Sequence, residues 1–278
     1  MKSIIPKYQI KQNLLRVLGD SKKCSQLVCA LKNSADFNLI VQVVTELIKS
    51  IPQFEKRCWG NMLPKTIKEL GHEKIFFYKP IELKNEINWV ILGVKQHIKA
   101  IKKFITYKKL FEHQVLLGQY SNALDTLNSV ENEIGVSIWF YESKFIVYEM
   151  MGAQDKSITL ISQINEAKQD KGADNGYVTL LLYYLWNRSK KDLSAIKYDE
   201  DLYNRFKKNR TDFQKDTYNY HLFRLNYYIN YNIENTSIPL VMESTNSIID
   251  RYIVLLQVLQ SALVKEENMD MIVSRSLY

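Results

Sequence analysis

The chain has 278 residues, 46% of them hydrophobic and 24% charged, which are the proportions of a folded globular protein and not of a disordered one. Nine glycines and five prolines are too few for a turn-rich all-β architecture, and no run of 18 apolar residues is present to span a bilayer, so a membrane is not expected as a partner. The net charge of +8 is held unevenly: residues 1–113 carry 21 Lys and Arg against 9 Asp and Glu, whereas residues 114–278 carry 17 against 21. Such a split points to an acidic partner for the first part, or to the two parts meeting within one chain or between copies in a homo-oligomer.

The N-terminal stretch MKSIIPKYQIKQNLL lacks the apolar core and small-residue cleavage site of a secretory signal. Cys24, Cys29 and Cys58 are odd in number and read as reduced core thiols. Together these imply a cytoplasmic protein.

Helical periodicity runs through almost the whole chain. Residues 8–18 and 22–33 read as two helices around Gly19-Asp20. In 36–51, Leu39/Ile40, Val43/Val44, Leu47/Ile48 and Ile51 recur every three to four residues, with Asp36 as N-cap and a stop at Pro52. Residues 53–70 read as a further helix weakened by Gly60 and Pro64, and 72–80 as the one short extended piece. From 82 to about 117 one long helix is expected. Its apolar stripe is Val94, Ile98, Ile101 and Ile105, beside a basic stripe of Lys95, Lys99, Lys102 and Lys109.

Two stretches then match at a fixed offset. Aligning 104–137 with 138–171 pairs Tyr107 with Tyr141, Phe111 with Phe145, Gly118 with Gly152, Ala123 with Ser157, Leu124 with Ile158, Leu127 with Ile161 and Val130 with Ile164. The period is 34 residues. This pattern resembles the tetratricopeptide repeat, in which two helices, A and B, recur with that period. Tyr107, Phe111, Gly118, Tyr120, Ala123 and Leu127 fill the motif's places in order. The second copy departs from it at Gln154 and Ser157, and a third, degenerate copy has Trp186 where the glycine belongs. Within that copy 176–188 and 191–197 still read as a helix pair, and 212–233 with 240–268 read as two long antiparallel helices. The expected fold is therefore all-α: a right-handed solenoid of antiparallel helix pairs over 81–278, preceded by a helical N-terminal region over 1–80.

Several chemistries find no footing. The histidines (His72, His97, His113, His221) form no HxxxH or HExxH, and Cys24 and Cys29 lie about 140° apart on a helix, so no metal is expected. There is no GxSxG, GxxxxGK[ST] or GxGxxG, and no Arg followed four to six residues later by His, as in HEPN-like ribonucleases. Asp199-Glu200-Asp201 reads as a solvated run beside Arg205, Lys207, Lys208 and Arg210. Helices 22–33 and 36–50 do not make a DNA-reading pair, because the second is strongly apolar. In 216–231, Tyr218, Leu222, Leu225 and Ile229 share one face, and Tyr220, Arg224, Tyr227 and Tyr231 another; the second face suits a core or an interface.

The repeat resemblance implies a groove lined by the A helices. Carried over place by place, the lining is Lys108, Glu112, Trp139, Glu142, Ile146 and Glu149, with Val115 beside them. Glu112 stands where the carboxylate-binding members of the family need Asn, so such a clamp is not expected. Trp139 and Ile146 would anchor a partner, and Glu112, Glu142 and Glu149 would select cationic groups. The expected function is a non-enzymatic protein- or peptide-binding module, a scaffold or sensor that needs no cofactor. The alternative is a nucleic-acid-associated regulator or defence-type protein that uses Lys95, Lys99, Lys102 and Lys109 on phosphates. A third reading makes the chain the N-terminal part of a longer multidomain protein.

Overall fold

The computed structural model describes residues 6–32, 36–71, 82–169, 176–190, 195–206, 212–226 and 237–264. Among these residues there are helices and no strand. In chain order they are α1 (Lys7–Val17), α2 (Ser21–Lys32), α3 (Phe37–Ser50), α4 (Pro52–Trp59), α5 (Leu83–Gln96), α6 (Ile98–Leu116), α7 (Tyr120–Glu133), α8 (Ile138–Met150), α9 (Gln154–Gln169), α10 (Gly176–Ser189), α11 (Ala195–Phe206), α12 (Asp212–Asn226), α13 (Ser237–Met242) and α14 (Ile248–Val264). Short 3-10 turns occupy Ile67–Glu69 and Glu243–Thr245.

The N-terminal elements follow from local signals. Asp36 Oδ1 accepts the Leu39 N–H at 3.0 Å, satisfying one orphan donor of α3. The apolar stripe of α3 buries Ile40, Val43, Val44 and Leu47. Pro52 then opens α4, where its missing N–H costs no hydrogen bond. The helix expected over 53–70 stops at Trp59, because Gly60 takes φ 68 and caps it; the only helical turn left in that stretch is Ile67–Glu69. The extended piece expected at 72–80 lies outside the described residues.

The long helix expected from 82 to about 117 has the right ends but is two helices. His97 breaks it, with φ −108 and ψ 25. Its Nε2 lies 2.7 Å from Glu55 Oε1 on α4, so a tertiary contact holds the break. The break also moves the apolar face: Ile101, Phe104 and Phe111 are buried, whereas Ile98 is exposed.

The two glycines of the 34-residue offset end α6 and α8 in the same way. Gly118 (φ 71) donates its N–H to Val115 O at 3.0 Å, and Gln119 donates to Gln114 O at 2.8 Å. Gly152 (φ 66) donates to Glu149 O at 3.0 Å, and Ala153 to Tyr148 O at 2.8 Å. Each pair of bonds is a Schellman closure, which needs a left-handed residue and so favours glycine. No atom lies within 4 Å of a Cβ added at either position. Gly118→Ala and Gly152→Ala are therefore each expected to cost about 1 kcal/mol, the left-handed penalty without a clash; urea unfolding of the two variants measures it.

Burial follows the aligned pairs. Phe111, Ala123, Leu127, Val130, Tyr141, Phe145, Ser157, Ile161 and Ile164 are all buried, whereas Ile158, the partner of Leu124, is exposed. Two of the three departures from the motif meet each other: Trp186 Nε1–H donates to the buried Ser157 Oγ at 2.8 Å. Trp186 sits inside α10, which runs on to Ser189.

Packing proceeds stepwise. α6 packs on α7, α7 on α8, α8 on α9 and α10, and α10 on α9 and α12. α1–α4 pack among themselves, with α2 and α3 against α5. The helix expected over 240–268 is broken into α13, the Glu243–Thr245 turn and α14. α14 then folds back across the molecule to contact α5, α6, α8 and α13. Its first residues enter two cores: Ile248 joins Leu47, Trp59 and Ile101, and Ile249 joins Phe104, Val130 and Ile134.

Candidate functional site

The residues expected to line a groove fall in different environments. Trp139, the second residue of α8, is half-buried, with Phe104 and Phe111 edge-on at ring-centroid distances of 4.9 and 5.6 Å. Its indole fills the seam between α6 and α8. Glu142 pairs with Arg188 of α10, whose other guanidinium nitrogen donates to Leu225 O at 2.9 Å. Lys108 and Glu112 pair with each other along α6. Ile146 and Glu149 are half-buried, and Glu149 Oε2 is enclosed without a hydrogen-bond partner. The aromatic anchor and two of the three carboxylates are thus engaged by the chain itself.

The basic residues are arranged differently. Lys95, at the end of α5, and Lys99, Lys102 and Lys109 on α6 are all exposed. Among the described residues none of these four forms an ion pair, whereas Lys103 is held by Glu133 at 2.8 Å. No Asp or Glu occurs between residues 87 and 111, so the outer face of α6 carries positive charge that nothing on the same helix face offsets. Because His97 interrupts the backbone, Lys95 belongs to a different helix from the other three.

One polar cluster was not expected, and it is buried. Asp250, in the first turn of α14, accepts the Ile138 N–H (2.8 Å, Oδ2) and the Trp139 N–H (3.1 Å, Oδ1), which are orphan donors at the start of α8. Ser247 Oγ–H donates to Asp250 Oδ2 at 3.0 Å. Glu243 accepts the Tyr220 hydroxyl at 2.7 Å and the Asn246 amide at 2.9 Å. Between the two carboxylates lies the Arg224 guanidinium, 3.7 Å from Glu243 and 3.9 Å from Asp250, with Nη1 making no hydrogen bond. Arg251 turns the other way: it donates to Asn246 O at 3.0 Å and to Trp59 O at the end of α4. The Ile248 N–H donates to Met62 O at 2.8 Å.

Burial shapes the protonation of this cluster. It raises the Asp250 carboxyl, with Glu243 adding to the rise and Arg224 and the two α8 amides opposing it, to about 7. His221, fully buried on α12, is pushed down to about 4 by desolvation, against the pull of the Thr217 and Tyr177 carbonyls beside its ring nitrogens. A raised carboxyl can signal acid–base chemistry. Here every carboxylate oxygen of Asp250 and Glu243 already accepts a donor from the chain, and both side chains are buried. The cluster acts as a clasp joining α4, α8, α12 and α14. The sequence carried a partial signal for it, the Tyr220/Arg224 face of α12. Its acids lie 19 and 26 residues further on, and nothing local connects them.

Among the described residues no three His, Cys, Asp or Glu side chains come together to hold a metal ion, and no helix is long and apolar enough to cross a membrane. Asp201 accepts the Tyr184 hydroxyl at 2.6 Å and so braces α11 against α10. No family model matches this chain, and neither a curated protein nor a solved structure shows significant similarity to it.

Proposed function

We propose that the chain is a non-enzymatic binding module, a stack of tetratricopeptide-like antiparallel helix pairs that acts as a scaffold or sensor for a protein partner. The observation that carries this reading is the pair of identically built helix ends at Gly118 and Gly152, 34 residues apart. Cross-helix contacts support it. Gln114 meets Thr126, while Tyr107 and Lys103 meet Glu133. Positions earlier on α6 meet positions later on α7, the register of two helices running in opposite senses. Trp186 near the end of α10 and Ser157 near the start of α9 follow the same rule. Helix pairs repeated at one period make an extended surface suited to recognising a polypeptide.

A second reading, nucleic-acid association, is favoured by one observation: the exposed lysines of α5 and α6 with no acidic partner among the described residues. Affinity capture from lysate separates the two. With the intact chain as bait and nuclease present, a discrete protein retained through a high-salt wash is the expected result. If the retained material is nucleic acid that salt removes, the regulator reading replaces this one. If nothing is retained, the binding-module reading fails.

A further inference from the structure

The outer face of α6 combines two kinds of unsatisfied surface. Viewed down the axis at 100° per residue, Lys99, Lys102, Lys109, Leu110 and Leu117 fall within an arc of about 100°, opposite the buried Ile101, Phe104 and Phe111. Along the axis the exposed Ile98 comes first, the lysines follow, and the remaining exposed aliphatic residues lie towards the C-terminal end. Leu110 is 45% exposed on the helix, and Leu116 (85%) and Leu117 (58%) lie in the turn closed by Gly118. The equivalent turn at the end of α8 exposes Met150 and Met151 in the same way. Aliphatic side chains so bare at two equivalent turns are unusual for a surface whose other large apolar residues are mostly covered.

Resting on the binding-module reading, we infer that this face docks an acidic, amphipathic helical segment of a partner protein. Its carboxylates would lie along Lys99, Lys102 and Lys109, and its apolar residues on Leu110, Leu116 and Leu117. Charge complementarity sets the sign of the partner. Of the three glutamates expected to select cations, Glu142 is engaged by Arg188 and Glu112 by Lys108, and the unpartnered Glu149 Oε2 is enclosed, so the charge this face offers a partner is positive. A second copy of the chain is weakly matched, since its residues 1–113 are as basic as this face and its residues 114–278 carry only 21 Asp and Glu against 17 Lys and Arg.

Two other anionic partners fit less well. A helix lying on a lipid surface sinks a continuous apolar face into the headgroup boundary, whereas the continuous apolar face of α6, Ile101, Phe104 and Phe111, is buried within the protein. A nucleic-acid strand is recognised by cations interleaved with aromatic stacking platforms. This face presents no Arg, and the one Tyr on α6, Tyr107, has its hydroxyl held by Glu133 at 2.6 Å. A helix laid against a helix face, read through anchors spaced three, four and seven residues apart, meets both the length and the order of the groups.

The test uses designed, fluorescently labelled helical peptides of about 20 residues, a length that covers α6. One carries Glu in its charged half and Leu in its apolar half, a second replaces the Glu with Lys, and a third replaces the Leu with Ser. Fluorescence anisotropy is read with the full chain at low salt, with anionic phosphatidylserine vesicles and a single-stranded oligonucleotide as further arms. The Glu/Leu peptide is expected to bind best. Its affinity should fall at least about tenfold, roughly 1.4 kcal/mol, in Lys99→Glu/Lys102→Glu/Lys109→Glu and again in Leu116→Ser/Leu117→Ser. Circular dichroism should show both variants folded as the parent chain.

Binding that the two variants leave unchanged overturns the assignment of this face while leaving the binding-module reading standing. Equal binding of the Ser peptide removes the apolar half of the proposal. Tighter binding of vesicles or oligonucleotide than of any peptide overturns the choice of partner. Failure of every peptide overturns the inference itself; the capture experiment then decides the module reading on its own.

Discussion

Asp250→Ala should lower stability by about 3–5 kcal/mol, the range for removing one partner from a buried ionic group. Three losses combine. The Ile138 and Trp139 amides, both aimed at this carboxylate, are left without an acceptor at the start of α8. Ser247 loses its acceptor. Arg224 is left with Glu243 alone, and its Nη1 already makes no hydrogen bond. Against a total of roughly 5–15 kcal/mol for a typical domain, such a loss is large, and equilibrium urea unfolding will resolve it.

Asp250→Asn separates charge from shape and gives a definite sign with pH. Burial raises this carboxyl to about 7 in the folded chain, above its unfolded value near 4. Between those values the fold binds a proton that the unfolded chain does not, so this group contributes stability that grows as pH falls from 7 towards 4 and is lost as pH rises through 7. Asn cannot take up that proton. The cost of Asp250→Asn should therefore be smaller at pH 8 than at pH 5, whereas Asp250→Ala loses the helix cap at both. An Asn variant that costs more at pH 8 than at pH 5 would show that Asp250 works as a plain ion pair with Arg224.

Gly135→Ala should be nearly as damaging, by about 3 kcal/mol or more, through strain and overlap together. Gly135 has φ 126, a region side chains avoid. A methyl group there would also overlap the Pro64 carbonyl oxygen. That oxygen cannot retreat freely, because it accepts the Val136 N–H at 2.8 Å. The contrast with Gly118 and Gly152, where the added methyl meets open space, makes an internal control. Thermal melts of the three alanine variants should rank Gly135→Ala far below the other two. Three equal melts would mean that the Pro64 segment moves aside at little cost.

What the sequence made legible was whatever depends on neighbours along the chain. Asp36 and Pro52 bracket α3 because capping and the missing proline N–H are local effects. Gly118 and Gly152 announce helix ends because only the left-handed turn requires them. The break at His97 was not legible. Apolar periodicity continues through it, and what holds the break is Glu55, 42 residues earlier. The groove-lining pattern suffered the same way. Trp139 and Glu142 sit where a repeat places ligand contacts, but Phe104, Phe111 and Arg188 engage them, and no spacing rule foretells that. On α12, periodicity separated two faces without showing what would cover them, and Tyr227, Ile229 and Tyr231 lie outside the described residues. Tyr220, His221 and Arg224 are buried against partners from α10, the Glu243–Thr245 turn and α14. The lysine stripe of α6 was legible because solvated cations need no partner to define them.

Asp250 and Arg251 are consecutive, yet one holds the start of α8 and the other the end of α4, across 112 and 192 residues of chain. A ribosome adds about 5–20 residues per second. The first amides of α8 therefore wait on the order of 6–20 s for their carboxylate, and the Trp59 carbonyl about 10–40 s for its guanidinium. Throughout that interval the segment after α4 and the start of α8 are joined only by earlier-made contacts such as the Val136 N–H on Pro64 O and Lys65 on Asn132 O. The stretch from Ser247 to Arg251, made late, adds a bolt across parts built well before it.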